Sequence, residues 1–381
     1  MSQSNRRGVA VIGVGLVPFD KYENETIEEI ARPAVISAMR DAGFARNQIE
    51  SAFVSHVYQG EVLGQRILRG LGFADIPITN IENACAGGST AVREAFLSIA
   101  HGVFETALVI GAEKMGRGLI NFLNPDIEQT LGNIAPAQYA MAAQRHIHEF
   151  DTPRAAFAEI AVKSRRHASL NPNARFRDRV TRDEVLASRP IAEPMTLLEC
   201  CRNGSGAAAL VLVSEEKVRS IGAKPIWILG SGLGSWMFDN TQHDLTNFGA
   251  TRAAAKAAYE ASGLGPDDLD IVELHDAFTA GELLHYEGLG LCAKGEGGRL
   301  ALDGATALGG RIPVNVSGGL ISKSHPLGAT GVAQICELTW QLRGEADGRQ
   351  VEGARIALAH SQGGTTLESG ASCVTVLGKG R

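Results

Sequence analysis

Two side chains able to do covalent chemistry stand in matching places along this 381-residue chain. Cys85 precedes the small-residue run Gly87-Gly88-Ser89-Thr90-Ala91, and His325 precedes Gly328-Ala329-Thr330-Gly331. Each run reads as the start of a helix, where unpaired N–H groups and the positive end of the helix dipole are presented. A cysteine there is expected to hold its thiolate more readily than a free one, which makes Cys85 a candidate nucleophile. His325, in the equivalent place, is a candidate base. The other cysteines are Cys200, Cys201, Cys292, Cys336 and Cys373. They form no C-x-x-C pair and read as small buried hydrophobes, so neither a metal site nor a disulfide is expected.

The elements that must position these two residues repeat along the chain. Ala10 to Leu16 resembles Trp227 to Leu233 at a lag of 217 residues, and Arg32 to Ser55 resembles Arg252 to His275 at a lag of 220. Asn83 to Ala91 lies over Lys323 to Gly331 at a lag of 240, and Ala107-Leu108-Val109 over Ala357-Leu358-Ala359 at 250. The order is kept while the lag grows, as for a duplicated βαβαβ unit with insertions in its second copy. Each copy contains an Ala-rich helix, a glycine cap and a short apolar strand. The divisions expected are a first half over 1–115 with 190–220, an inserted covering region over 116–189, and a second half over 221–381. The class is α/β, and a pseudo-twofold between the halves would bring the two helix starts to one cavity.

Composition narrows the rest. Forty-two acidic side chains against 36 Lys plus Arg give a formal charge of −6, which argues against nucleic acid as a partner. No apolar run is long enough to span a membrane, and the polar stretch Met1 to Arg7 does not read as a secretory signal; a cytoplasmic protein is expected. Gly13-x-Gly15 is followed by Pro18 and Gly230-x-Gly232 by Ser235 where a dinucleotide fingerprint needs a third glycine. Neither a nicotinamide nor ATP is expected.

Several motifs together resemble the thiolase superfamily, specifically thiolases of the sterol-carrier-protein-2 and archaeal type. They are Asn83-Ala84-Cys85-Ala86-Gly87-Gly88, Glu273-Leu274-His275-Asp276-Ala277-Phe278, Asn315-Val316-Ser317-Gly318-Gly319, Ser324-His325-Pro326-Leu327-Gly328-Ala329-Thr330-Gly331, and Gly363-Gly364. The resemblance spans nearly the whole chain and implies the thiolase fold, a five-layered α-β-α-β-α arrangement. It implies an acyltransferase of lipid metabolism in which Cys85 takes an acyl group from a coenzyme A thioester, with no permanently bound cofactor. His325 would hold the thiolate and act as base, His275 would stabilise an enolate oxygen, and the N–H groups of Cys85 and Gly363 would form an oxyanion hole. Asn315, Ser361 and His360 would support this set. A homodimer and a small zinc-ribbon/OB-fold partner protein are also implied. The basic stretch from Lys163 to Arg182 could meet coenzyme A phosphates through Lys163, Arg175 and Arg177. The tracts His146-Ile147-His148 and Arg165-Arg166-His167 read as solvated helix faces.

One departure changes the chemistry expected. The family's second acid/base is a cysteine in a C-x-G loop or an H-D-C-F motif, and these positions are Ser361 and Ala277 here. Acylation of Cys85 is therefore expected without efficient Claisen chemistry between two acyl thioesters. The alternatives are decarboxylative condensation, acyl transfer to another carbon nucleophile, retro-aldol cleavage of a coenzyme A ester, and a non-catalytic acyl-CoA or lipid-binding subunit.

Overall fold

The computed structural model describes residues 6–116, 118, 120, 127–221, 224–235, 244–364 and 370–380. Of the polar N-terminal stretch, residues 1–5 lie outside these. The first half runs β1 (Val9–Leu16), α1 (Ile27–Ala42), β2 (Ser51–Ser55), α2 (Leu63–Arg69), β3 (Ile78–Ile81), α3 (Gly87–Ala100) and β4 (Thr106–Glu113). There follow α4 (Ile127–Thr130), α5 (Ala135–Phe150), α6 (Arg154–Ser169), α7 (Arg182–Ala187) and the small hairpin β5 (Pro190–Ala192) and β6 (Met195–Thr196). Strand β7 (Gly206–Ser214) and α8 (Glu215–Ile221) lead to the second half. That half holds β8 (Ile226–Ser235), α9 (Gly249–Ser262), β9 (Ile271–Glu273), α10 (Thr279–Gly288), α11 (Gly297–Leu302), α12 (Gly319–Lys323), α13 (Leu327–Arg343), β10 (Ile356–Gly363) and β11 (Ala371–Gly378).

The strand order β3-β2-β4-β7-β1-β8-β11-β10-β9 reads outward in the same way from its β1–β8 centre. Strand β7 is antiparallel to β1 and β4, and β11 is antiparallel to β8 and β10; β2 is parallel to β4, and β9 to β10. Among the described residues only Ala10–Trp227 and Val11–Ile226 join the half-sheets. Helix α1 covers the outer face of one half and α9 that of the other, while α3 and α13 pack on each other and touch strands of both. The duplicated halves and the five layers expected from the sequence are thus present.

Local chemistry explains the twinning. Thr26 caps α1 reciprocally with Glu29, and the helix ends at Gly43, whose φ of 66° an L side chain tolerates poorly. Helix α9 ends the same way at Gly263, with φ 73°. The glycines that failed the dinucleotide pattern have a packing role instead. A Cβ on Gly15 would lie 2.6 Å from Ala38 N, and one on Gly232 2.9 Å from Ala258 N, so each lets its helix approach its strand.

The inner layer brings the reactive positions together. Ala91, Val92, Ala95 and Phe96 of α3 share a core with Val332, Ala333, Ile335 and Cys336 of α13. At the first turns a Cβ on Gly88 would lie 2.8 Å from Gly328 O, and one on Gly331 3.0 Å from Gly88 C. The helices therefore cross at their glycine-rich starts, immediately after Cys85 and His325. The covering region lies mostly on the second half, with α5 against α10 and α6 against α10, α11 and α12. It corrects the expectation of solvated helix faces: His146, His167 and Arg165 are buried. His146 bonds Thr152 and Glu287, while His167 bridges Asn315 O and Leu308 N–H, so these residues tie the covering helices down. Among the described residues no helix is long and apolar enough to cross a membrane.

Candidate active site

Cys85 lies on a sharp elbow between β3 and α3. Ala84 adopts φ 46°, a costly backbone for a residue with a side chain, and the turn is closed by Ala86 N–H to Asn83 O (3.0 Å) and Gly87 N–H to Ala84 O (3.0 Å). Asn83 Nδ2 donates to Thr90 Oγ1 at 3.1 Å, fastening the elbow to the helix it precedes. Opposite, Ser324 with φ 96° turns the chain into His325, whose N–H donates to Arg202 O at 3.0 Å.

One sulfur and two ring nitrogens, from Cys85, His275 and His325, lie within 4.8 Å of one another. The two imidazoles meet edge to face, with centroids 5.1 Å apart at 77°. His325 Nδ1 is 2.8 Å from Thr330 Oγ1, and that hydroxyl donates its only proton to Pro326 O at 2.9 Å. The hydroxyl must therefore accept from Nδ1–H, which leaves the lone pair on Nε2. His325 Nε2 is buried and has no protein partner, as required of a base aimed at a substrate or thiol.

Burial sets the charge states. It pushes the Cys85 thiol up to about 12, helped by the Glu113 and Glu82 carboxylates. Burial likewise lowers His275 to about 3 and, with His275 beside it, holds His325 well below the ordinary imidazole value. Burial thus favours a neutral thiol beside a neutral imidazole and opposes the thiolate expected from the helix start. A helix terminus contributes about 0.3–1 kcal/mol, less than desolvation removes. Three such donors could also approach a soft metal ion, but neither imidazole is oriented by a carboxylate, so the set suits proton transfer better than ligation.

The loop bearing His275 is pinned by buried polar bonds. Asn315 Oδ1 accepts from Leu274 N–H at 2.8 Å, while its Nδ2 donates to Glu282 Oε2 at 2.9 Å. Glu282 in turn pairs with Lys163 and Tyr286. Asp276 accepts from Leu320 N–H at 2.7 Å, and Glu273 from Ser317 Oγ at 2.6 Å. Above the triad opens a cavity of about 1160 Å³. Among the described residues Lys21, Lys114, Arg175, Arg189 and Arg202 line it, against one acid, Glu23.

The chain matches the thiolase N-terminal domain over residues 9–216 and the thiolase C-terminal domain-like family over 230–379. This chain belongs to the thiolase family. It is 40% identical to rabbit (Oryctolagus cuniculus) sterol carrier protein 2 over 93% of its own length and 70% of the relative's. It is also 40% identical to the benzoylsuccinyl-CoA thiolase subunit BbsB of Thauera aromatica, covering 94% and 95% of the two chains. A solved structure described as an Ltp2-ChsH2(DUF35) aldolase superposes with a TM-score of 0.86 at 27% identity over 98% of each chain. The chain is accordingly a thiolase-family acyl-CoA acyltransferase.

Other residues singled out in the sequence fall in different places. Gly363 lies against the thiolase elbow: a Cβ there would be 2.6 Å from Ala86 N and 2.7 Å from Cys85 N. Asn315 is a support, since its carboxamide is fully engaged by Leu274 and Glu282. Ser361 Oγ donates to Gln334 Oε1 on α13 at 2.8 Å and does not line the cavity. His360 is held behind the site, its Nε2 3.1 Å from Ser372 Oγ and its ring stacked at a tilt on His285, centroids 4.3 Å apart. Lys163 is buried against Glu282 and does not line the cavity; Arg177 is exposed outside the cavity, whereas Arg175 lines it.

Sequence reasoning missed Glu113 and the role of Thr330. Glu113 accepts from Val57 N–H, Tyr58 N–H and Gly328 N–H at 2.8, 3.0 and 3.0 Å, and from Gln59 Nε2 at 2.6 Å. The available signal was one acid closing an otherwise apolar strand. Thr330 stood in plain view within the His325 motif, but its tautomer-setting bond needed coordinates.

Proposed function

We propose that this chain is a thiolase-type C-acyltransferase that carries the acyl group on Cys85 and cleaves or makes a carbon–carbon bond beside a thioester. The observation that supports this most is the unpartnered His325 Nε2 meeting Cys85 and His275 at the cationic cavity. In the cleavage direction His325 Nε2 takes the thiol proton as Cys85 Sγ attacks the keto carbon. The resulting oxyanion is received by the N–H groups of Cys85 and Gly363, and the carbon–carbon bond breaks. His275 faces the oxygen of the departing enolate, and a coenzyme A thiol then removes the acyl group from Cys85. Donors aimed at developing oxyanions are commonly worth about 2.7–4 kcal/mol each. The cations around the mouth suit a phosphate-bearing thioester.

Intact-mass spectrometry after incubation with a panel of acyl-CoAs tests the reading. One acyl mass is expected on the wild type and none on Cys85→Ala, with turnover down roughly 10⁴-fold or more. A second reading, retro-aldol cleavage, draws on Ala277 and Ser361 not being thiols and on the aldolase neighbour. It predicts cleavage of a coenzyme A ester with no acyl adduct. A homodimer and a small zinc-ribbon/OB-fold partner complete the proposal; the neighbouring aldolase is described together with a DUF35 protein. Light scattering at micromolar concentration giving a clean monomer mass would remove the dimer.

A further inference from the structure

Breaking a carbon–carbon bond beside a thioester leaves an enolate whose carbon must be protonated, and a closed site needs a side chain to deliver that proton. Ser361 is committed to Gln334 on the far side of its strand, and Ala277 has no proton to give. Ala277 nevertheless has a thiol neighbour. The segment after β6 runs alongside the His275 loop: Cys200 and Phe278 form an antiparallel bridge, and Cys201 N–H donates to Ala277 O at 2.8 Å. Cys200 is extended, with φ −110° and ψ 140°, and its buried thiol faces Thr196 O at 3.3 Å. Side chains alternate along extended backbone, so Cys201 projects to the other side. Cys200 and Cys201 both border the cavity that holds Cys85, His275, Ala277 and His325, but the Cys200 thiol is engaged by Thr196 O, whereas Cys201 is partly exposed. The next residue, Arg202, holds His325 N–H through its carbonyl, so one short segment touches both histidine loops.

We propose that Cys201 is the acid/base thiol of the carbon–carbon step, reaching the site from beside Ala277. The inference rests on the acyl-Cys85 reading above. As the bond breaks, the electron pair passes to the enolate and its carbon takes the proton from Cys201 Sγ. The incoming coenzyme A thiol attacks acyl-Cys85 and gives its proton to the Cys201 thiolate. Collapse of that intermediate expels the Cys85 thiolate, which recovers its proton from His325, and both thiols are restored. Burial, with Cys200, Cys85 and Asp276 nearby, holds the Cys201 thiol well above its ordinary value, so it rests protonated as an acid must.

The test compares Cys201→Ala, Cys201→Ser and Cys200→Ala with the wild type in two assays. One is loading of Cys85 from a simple acyl-CoA, followed by intact mass. The other is cleavage of the 3-ketoacyl-CoA that bears the same acyl group. A thiolate leaves unaided whereas a carbanion does not, so both Cys201 variants should load within about threefold of wild type yet cleave about 10²–10⁴-fold more slowly. Cys200→Ala should do both normally. Cleavage at the wild-type rate by a loading-competent Cys201→Ala overturns the proposal. So does loss of loading in both Cys201 variants, which would make the residue structural. A wild type that loads but does not cleave overturns the Cys201 proposal while the acyl-enzyme stands; a wild type that never loads ends the acyl-enzyme reading and this proposal with it.

Discussion

Strand β4 in the first half and β10 in the second are both eight residues long, and each delivers its last residue to the opposite half's inner helix. Glu113 ends β4 and takes the N–H of Gly328 at the start of α13. Gly363 ends β10 and lies against Ala86 N and Cys85 N at the start of α3. The same architectural contact is thus filled by a carboxylate in one copy and left open by a glycine in the other. In the filled copy Glu113 fastens the start of the helix that follows His325; in the open copy glycine lets the backbone of residue 363 approach Cys85 N closely, as the proposed oxyanion site requires. A pseudo-symmetric frame supplies two helix starts; chemistry appears where the symmetry is broken.

Gly363→Ala attacks the open copy. Its methyl would crowd the elbow N–H groups, so acylation of Cys85 should slow about 10²–10³-fold, as when one oxyanion donor is removed. Pre-steady-state loading measures it, with a thermal melt to verify the fold; unchanged loading would place the oxyanion elsewhere. Glu113→Gln attacks the filled copy. The shape is kept, but one acceptor becomes a donor among four buried N–H groups. A stability loss of about 1–3 kcal/mol is expected from urea unfolding, with a smaller effect on loading than Gly363→Ala. If Glu113→Gln damages loading more than stability, the division between structural and chemical ends is wrong.

Much of this contrast was legible in residue types. Cys85, His275 and His325 each carry a motif, and the drifting lag between copies put the first and last at equivalent helix starts. The glycine pairs were visible too, although their packing against α1 and α9 had to be seen. What escaped was long-range. Lys163 looked like a phosphate ligand because its neighbours are basic, but its partner is Glu282, 119 residues away. Cys201 reads as a core thiol and does pack against the core, but nothing local sets residues 200–202 beside Ala277. The thiolate expectation meets a related obstacle: a helix start can be read from sequence, whereas the burial opposing it cannot.

The covering region supplies a smaller and slower test, through His167 and acid stability. Burial holds His167 near 3 in the folded chain, and His275 likewise, against about 6.5 unfolded. Between those values the unfolded chain binds more protons, so stability is full above about 6.5 and falls as pH drops toward 3. Each such histidine contributes about 1.4 kcal/mol per pH unit within that window. His167→Gln should lower stability at neutral pH and remove about one proton from the slope. Urea unfolding at pH 7, 6 and 5 checks this, and an unchanged slope would mean that His167 is not held neutral by the fold.

The weakest effect concerns the mouth, where the comparison between halves takes a different form. Among the described residues, every Lys or Arg lining the cavity precedes residue 203; the second half contributes the two histidines and Gly363 but no Lys or Arg. Substrate steering is therefore assigned to the first half and the covering region. Arg175 and Arg202 flank the Phe176 ring at 4.9 and 5.2 Å, and Arg175 also pairs with Asp20 at 3.5 Å. Arg202→Met should raise KM for a coenzyme A thioester about 3–10-fold at low salt while leaving kcat nearly unchanged, because the Arg202 carbonyl that holds His325 is retained. The difference should shrink near 1 M salt, where the screening length falls to about 3 Å. Arg177→Met, exposed outside the cavity, should leave KM unaltered. Equal effects from Arg177 and Arg202 would mean that diffuse surface charge, not the cavity wall, draws the substrate in.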